Sequence, residues 1–401
     1  MYNIKQVINS RFDIKYKRFA VFAILFYSIL RGIRFPNMWS YSHFLFNYSF
    51  GFIKRGFVGE IIYQLNNPYL MSYDFFVVFS VVIFYVNIIL LSVLINDFIN
   101  TQNSILIGCS AVFASSFSIV FLSHNVGYFD HIGLLISLIT LKINGFYKKL
   151  FFVSLFMPLA VLIHENSFIL FSPVIFMSLL FSIETDGQTK KILMLGGWAV
   201  GLLILTLIIS NSTLQQPEAH EMRLRLQTKV GHPIREDAFG VLVSDLNANF
   251  SEMENVGVKN YFMRSRSLRI TAPTSLIFIC STILILKKAG TKYYLIILSI
   301  LASLSPIALY WWGGDTARWN TLTGTVSFLI LSIAYTTNKD QPIKMSNFMF
   351  LIFASITIFN AMSSIPLFDE YYVKQFPFFE HWQYLIDLIS GKAIFPFVPP
   401  R

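Results

Sequence analysis

Apolar residues run through this chain in long blocks, not in the alternation of half-buried strands or the one-sided stripes of surface helices. Blocks lie near residues 75 to 96, 104 to 122, 130 to 141, 150 to 163, 167 to 182, 192 to 210, 273 to 286, 293 to 310, 321 to 335 and 346 to 361. Many approach the length of about 20 residues that crosses a hydrocarbon core as a helix. Ahead of them the stretch from Phe19 to Leu30 follows Lys5, Arg11, Lys15, Lys17 and Arg18, which reads as a signal anchor. Arg31, Gly32, Ile33 and Arg34 come next and offer no small-residue cleavage site, so the anchor is expected to be retained. The pattern predicts an all-α polytopic integral membrane protein with about eleven transmembrane helices. Its expected organisation is a basic cytoplasmic N-terminus 1–18, a first bundle 19–210 carrying an outer loop 33–73, a large outer loop 211–271, a second bundle 272–361 and an aromatic outer tail 362–401.

The stretch from 150 to 182 needs separate treatment, since one continuous helix would span roughly 50 Å against a core of about 30 Å. His164 and Glu165 interrupt it, and polar groups at bilayer depth are costly, so two short helices meeting at the outer surface are expected. Lysine placement agrees. With a cytoplasmic start, Lys142, Lys148, Lys149, Lys190, Lys191, Lys287, Lys288, Lys292, Lys339 and Lys344 fall in alternate loops on one side, as the positive-inside rule requires. Thirteen of the 18 lysines are then cytoplasmic, whereas 11 of the 13 arginines and all seven histidines (His43, His124, His131, His164, His220, His232, His381) gather at the outer face. Guanidinium forks and imidazoles are the groups used for phosphate recognition and proton transfer, so chemistry is expected there.

Composition removes other classes. Hydrophobic residues make up 55% of the chain and charged ones 13%, about half the charge of a soluble protein, which excludes a water-soluble core. The net charge of +10 sits in short clusters between apolar blocks and acts as a topology signal, so nucleic-acid binding is not expected. Cys109 and Cys280 lie within apolar blocks and encode neither a disulfide framework nor a zinc site. A glycine-rich phosphate loop is absent, which leaves cytosolic ATP hydrolysis unsupported.

Four polar clusters carry the candidate chemistry. Lys54 and Arg55, flanked by glycines and aromatics with Glu60 nearby, suit a lipid phosphate or, more simply, an interfacial anchor. His124 to His131 holds two imidazoles and Asp130, fitting either a hydrogen-bonded turn or the orientation of sugar hydroxyls; its spacing matches no zinc signature, and no metal is expected. His164 and Glu165 combine a base and a carboxylate for activating a hydroxyl, although each is equally able to bond a separate helix. Trp312, Asp315 and Arg318 supply an aromatic face, a carboxylate and a phosphate grip, or an aromatic belt with a local ion pair. The outer loop ends in Arg264, Arg266 and Arg269 and contains a helix-forming stretch from Glu218 to Lys229; it is expected to lie against the membrane as a lid.

An outer-face glycosyl transfer has no nucleotide supply, so it must use a sugar already carried on a lipid phosphate. In size, number of apolar blocks, Phe- and Ile-rich composition, large outer loop and arginine-rich outer face, the chain resembles the Wzy-type polymerases of O-antigen and capsular polysaccharide. The resemblance implies an inner-membrane enzyme, without metal or soluble cofactor, that polymerises undecaprenyl-pyrophosphate-linked repeat units at the periplasmic face, with membrane lipids and a chain-length regulator as partners. Arg318, Arg264, Arg266 and Arg269 would stabilise the departing pyrophosphate, and His164 or Glu165 would activate the acceptor. Asp130 and Asp315 stand with them as catalytic candidates, and Lys54, Arg55, Glu60, His124 and Trp312 as substrate-binding ones. The fold is expected to be GT-C-like, and a GT-C transferase using a polyprenyl-phosphate sugar and a flippase remain as alternative functions.

Overall fold

The computed structural model describes residues 4–101, 103–183, 187–256, 266–336 and 343–367 together with Ile386 and Ser390, with side chains from residue 14 onward. It is all-helical, and no strand occurs among the described residues. Helices form at each apolar block: α1 (Ile4–Gly32), α4 (Tyr73–Ile99), α5 (Ser104–Ser115), α6 (Phe117–His124), α7 (Asp130–Lys142), α8 (Phe146–Ile163), α9 (Ser167–Leu180) and α10 (Gln188–Ser210). After the long polar loop come α14 (Arg266–Lys288), α15 (Tyr293–Leu304) with a 3-10 continuation Ser305–Trp311, α16 (Thr316–Thr336) and α17 (Asn347–Met362). Short polar elements complete the order: α2 (Met38–Phe44), α3 (Phe57–Leu65), α11 (Gln216–Gln227), a 3-10 turn Asp237–Phe239 leading into α12 (Gly240–Val243), and α13 (Leu246–Val256).

Among the described residues, six segments are long and apolar enough to cross a membrane, including α5 and α6 taken together; α9 and α17 are shorter apolar helices. The expected break inside 150 to 182 is present. Helix α8 ends at Ile163 and α9 begins at Ser167, with His164 in extended conformation between them (φ −157°, ψ 108°). An unexpected break divides the block at 104 to 122, where Ser116 adopts an extended conformation between α5 and α6.

Helix α16 forms the centre of the bundle: from Arg318 to Ala334 every residue is buried, and α14 packs along it. Its core face includes Phe328, whose ring stacks on Phe113 at 3.9 Å. A helix surrounded by other helices meets no lipid, which explains how it tolerates Thr321, Thr323, Thr325 and Ser327.

Residues of the 33–73 segment and of the loop after α10 form a second apolar cluster. Tyr41, Phe44 and Phe46 from the 33–73 segment share it with Met222, Leu226, Ala238 and Leu242 from the large loop. The helix-forming stretch predicted from Glu218 is α11, its amide ends satisfied by a capping box between Gln215 and Glu218. Close approach also fixes α3. A Cβ on Gly59 would stand 2.0 Å from the Phe46 carbonyl oxygen, so backbone meets backbone there.

Among the described residues, Lys142, Lys148, Lys149, Lys190, Lys191, Lys287, Lys288, Lys292 and Lys344 lie at the helix ends away from this cap. Lys142 pairs with Asp97 at 2.6 Å, and Lys191 sits 5.9 Å above the Tyr147 ring. Lys149 and Lys191 are nevertheless buried, so orientation does not exhaust their role.

Gly59→Val is expected to destabilise the cap by about 1–3 kcal/mol, because the added atoms meet backbone that cannot move aside. Gly196→Ala, with open space at its Cβ position, should leave the thermal midpoint of the detergent-purified protein unchanged or slightly raised.

Candidate functional site

Side chains from four separated segments meet where the cap sits on the bundle. Asp130 opens α7, His164 and Glu165 occupy the break after α8, Arg318 lies in the first turn of α16, and Arg55 precedes α3. Arg55 takes the left-handed backbone region (φ 62°), which a non-glycine residue rarely adopts and which costs on the order of 1–3 kcal/mol. A left-handed φ at Gly127 (95°) likewise shapes the turn before Asp130, where a Cβ would come within 2.8 Å of the Phe76 ring.

The contacts form a continuous chain. Arg55 donates through Nη2 to Glu165 Oε1 at 2.5 Å and through Nε to Oε2 at 3.1 Å. The Nδ1 of His164 faces Glu165 Oε2 at 3.4 Å, while its Nε2 accepts from Arg318 Nη2 at 2.8 Å. Arg318 grips Asp130 with two bonds, Nε to Oδ2 at 2.7 Å and Nη2 to Oδ1 at 2.6 Å. Asp315 stands 3.6 Å from Arg318 Nη1. At the other end, Arg55 Nη1 donates to His43 Nδ1 at 3.3 Å, and His43 Nε2 donates to the Ala238 carbonyl at 3.1 Å.

These bonds settle both imidazoles as neutral tautomers, since a guanidinium offers only protons to the nitrogen it faces. His43 carries its proton on Nε2 and His164 on Nδ1. Burial holds both rings below the ordinary histidine range, and the nearby Arg55 guanidinium adds to the effect. Burial would raise Glu165, but Arg55 and His164 outweigh it and keep the carboxyl well below the usual range. Asp315 behaves oppositely. Burial pushes its carboxyl up to about 7 against the pull of Arg318.

Aromatic faces border the chain. The Arg318 guanidinium lies 5.6 Å from the Tyr128 ring and 4.6 Å from Trp319, and Tyr128 stacks against Trp39 at 5.5 Å. A cavity of about 10 Å³, lined by Trp39, His43, Arg55, Tyr128, Phe129 and His164, opens among them. That is room for about one water. The arginines alternate with the acids and imidazoles, and no three metal-ligating groups converge among the described residues.

Other sequence candidates fall elsewhere. Lys54 is buried and donates to the Ser244 carbonyl, with burial lowering its ammonium to about 8. Glu60 accepts from the Tyr48 amide at 2.8 Å and from Gln64, tying its own loop to α3. His124 ends α6, its carbonyl accepting from Arg34 at 2.9 Å. Trp312 is half-buried beyond the 3-10 segment, and Arg266 and Arg269 are exposed at the start of α14, outside the chain of contacts. Arg264 and His381 lie outside the described residues. Three members were not singled out from sequence: His43, Trp39 and Tyr128. The helix Met38–Phe44, an aromatic run holding one imidazole, was the available signal.

The chain matches no family model, no curated protein and no solved structure.

Glu165→Gln should destabilise the protein by about 3–5 kcal/mol by leaving Arg55 buried beside a neutral amide, and adding Arg55→Met should recover much of that loss in denaturant or thermal unfolding. A pH series separates the titrating groups. Neutral His43 and His164 bind fewer protons folded than unfolded below about pH 6.5, so they lose stability on acidification; Asp315 keeps its proton up to about 7 and works in the opposite sense. Asp315→Asn is therefore expected to steepen the fall of the thermal midpoint as pH drops below about 6.5.

Proposed function

We propose that the protein is an outer-face glycosyltransferase that polymerises undecaprenyl-pyrophosphate-linked repeat units in a bacterial inner membrane. The reading includes a cytoplasmic N-terminus, about eleven crossings and a GT-C-like arrangement. One observation carries it: Arg55, Glu165, His164, Arg318 and Asp130 converge in a single buried chain at one end of the bundle. A lipid-linked donor needs a phosphate grip, a base for the acceptor hydroxyl and an apolar channel for its tail. Support for the channel comes from a lateral groove of about 320 Å³ between α9, α10 and α15, lined by Phe168, Phe176, Met177, Trp198 and Leu301. Its Phe168 and Ser305 end lies at the end of α9 and α15 that faces the ionic chain.

In this reading the donor pyrophosphate draws Arg318 Nη2 away from His164. The freed Nε2 lone pair then accepts the proton of the acceptor hydroxyl, whose oxygen forms the new bond to the anomeric carbon. The bond from that carbon to the pyrophosphate oxygen breaks, and the leaving anion rests against Arg318 and Arg55. Glu165 receives the Nδ1 proton of His164 as a hydrogen bond and steadies the imidazolium. Tyr128 and Trp39 stack on one another beside the ionic chain and close this side of the site.

His164→Ala is expected to lower the rate of chain extension by about 10²–10⁴-fold in proteoliposomes given lipid-linked repeat units, while the protein remains in the membrane. Arg318→Ala and Arg55→Ala should also abolish long polymer, and Lys190→Ala, exposed at the opposite end, should leave the ladder normal. Deletion of the gene discriminates the alternatives. A single repeat unit on the lipid core supports a polymerase, loss of one branch sugar a GT-C enzyme, and accumulated inward-facing lipid-linked units a flippase. Normal ladders from all three site variants would remove the proposed site.

A further inference from the structure

At the end of the bundle opposite the ionic chain lies a second cavity, about 310 Å³ in volume, within the range of small-molecule sites. From Arg318 to Thr336, which lines this cavity, α16 rises about 27 Å, so the two sites are separate. Two lysines lie on the cavity wall. Lys142 is neutralised by Asp97 at 2.6 Å. Lys149 is 9% exposed and meets no carboxylate among the described residues. Its ammonium donates to Ser178 Oγ at 2.8 Å and Ser182 Oγ at 3.0 Å, with a longer contact of 3.3 Å to the Ser178 carbonyl.

That carbonyl also accepts from Ser182 Oγ at 2.7 Å, so all three contacts of the ammonium are to neutral oxygens. Ser178 Oγ accepts from Lys149, and its own proton has no acceptor among the described residues. Holding a buried cation on neutral oxygens alone carries a desolvation cost, and an anion in the cavity beside it would offset that cost. The wall combines polar groups, Asn144, Ser332 and Thr336 among them, with Phe98, Phe181 and Tyr335, so the space is larger than a bare inorganic ion and suits a ligand with one polar and one apolar end. We propose that this cavity binds a phosphate ester with an apolar body, its phosphate oxygens on Lys149 Nζ and Ser178 Oγ. Basic pockets between membrane helices take anionic lipid headgroups in this way. This site is independent of the transfer reaction at the other end.

The test is binding to the full-length protein in nanodiscs of phosphatidylcholine, with phosphatidylglycerol or sn-glycerol 3-phosphate added as probe and retention read by native mass spectrometry. Wild-type protein should retain one probe, and both Lys149→Met and Ser178→Ala should weaken retention by about tenfold or more, as loss of a charge-assisted bond does. Lys148→Ala, whose side chain is exposed, should retain it fully. Retention of the lipid and not the soluble ester assigns the site to a headgroup, and the reverse assigns it to a soluble phosphate compound; either supports the proposal. Equal retention by wild type and Ser178→Ala, or no retention of either probe by wild type, overturns it. Ser178→Ala removes one hydroxyl and keeps the test decisive should Lys149→Met fail to fold.

Discussion

Burying a guanidinium beside lipid-facing helices is costly unless a carboxylate answers it, and two such pairs set the geometry of this protein. Arg55 with Glu165 and Arg318 with Asp130 are joined through one imidazole, His164. Since these residues come from the 33–73 segment, the start of α7, the break after α8 and the start of α16, the pairing dictates how four distant segments close on one another. The chemistry proposed for the site and the cohesion of the fold rest on the same bonds.

His43 ties the large loop to that chain. His43 receives a proton from Arg55 on one nitrogen and gives one to the Ala238 carbonyl on the other, so the large loop touches the ionic chain through a neutral histidine. Lys54, next in sequence to Arg55, reaches the same loop at the Ser244 carbonyl. The left-handed backbone at Arg55 turns adjacent cations toward different partners, one into the bundle and one into the cap. Strain of that kind persists only where its surroundings hold it, and here both neighbours are anchored.

Much of the architecture was legible because apolar block length is a strong signal, and the interruption at His164 and Glu165 was strong enough to place a break within a residue or two. Lysine placement foretold which helix ends lie together, as the contacts of Lys142 and Lys191 show. Other features were hidden for identifiable reasons. Helix α16 is wholly surrounded by protein, so its hydropathy is diluted by threonines and serines that a lipid-facing helix would lack. Ser116 breaks α5 from α6 without any charged residue to mark the place. At the site, spacing named Arg55, Asp130, His164, Glu165 and Arg318 but not their order of contact, which depends on tertiary closure. The cluster ending at Arg269 looked equally suitable by charge, yet Arg266 and Arg269 are exposed and carry no part of the ionic chain.

Because every guanidinium in the chain is already answered, a substrate cannot simply add to it. In the proposed reaction an anionic donor would exchange places with a carboxylate or an imidazole, and a neutral imidazole beside the Arg318 grip is the natural point of entry. That point is His164: its Nε2 accepts from a guanidinium that is bound twice to Asp130, so Arg318 can release it without losing its own counter-ion. Releasing Asp130 or Glu165 instead would strand a buried charge, at a cost of about 3–5 kcal/mol. In the proposed reaction such an exchange would uncover a neutral base as the anion arrives, coupling donor binding to acceptor activation and leaving the base shielded otherwise.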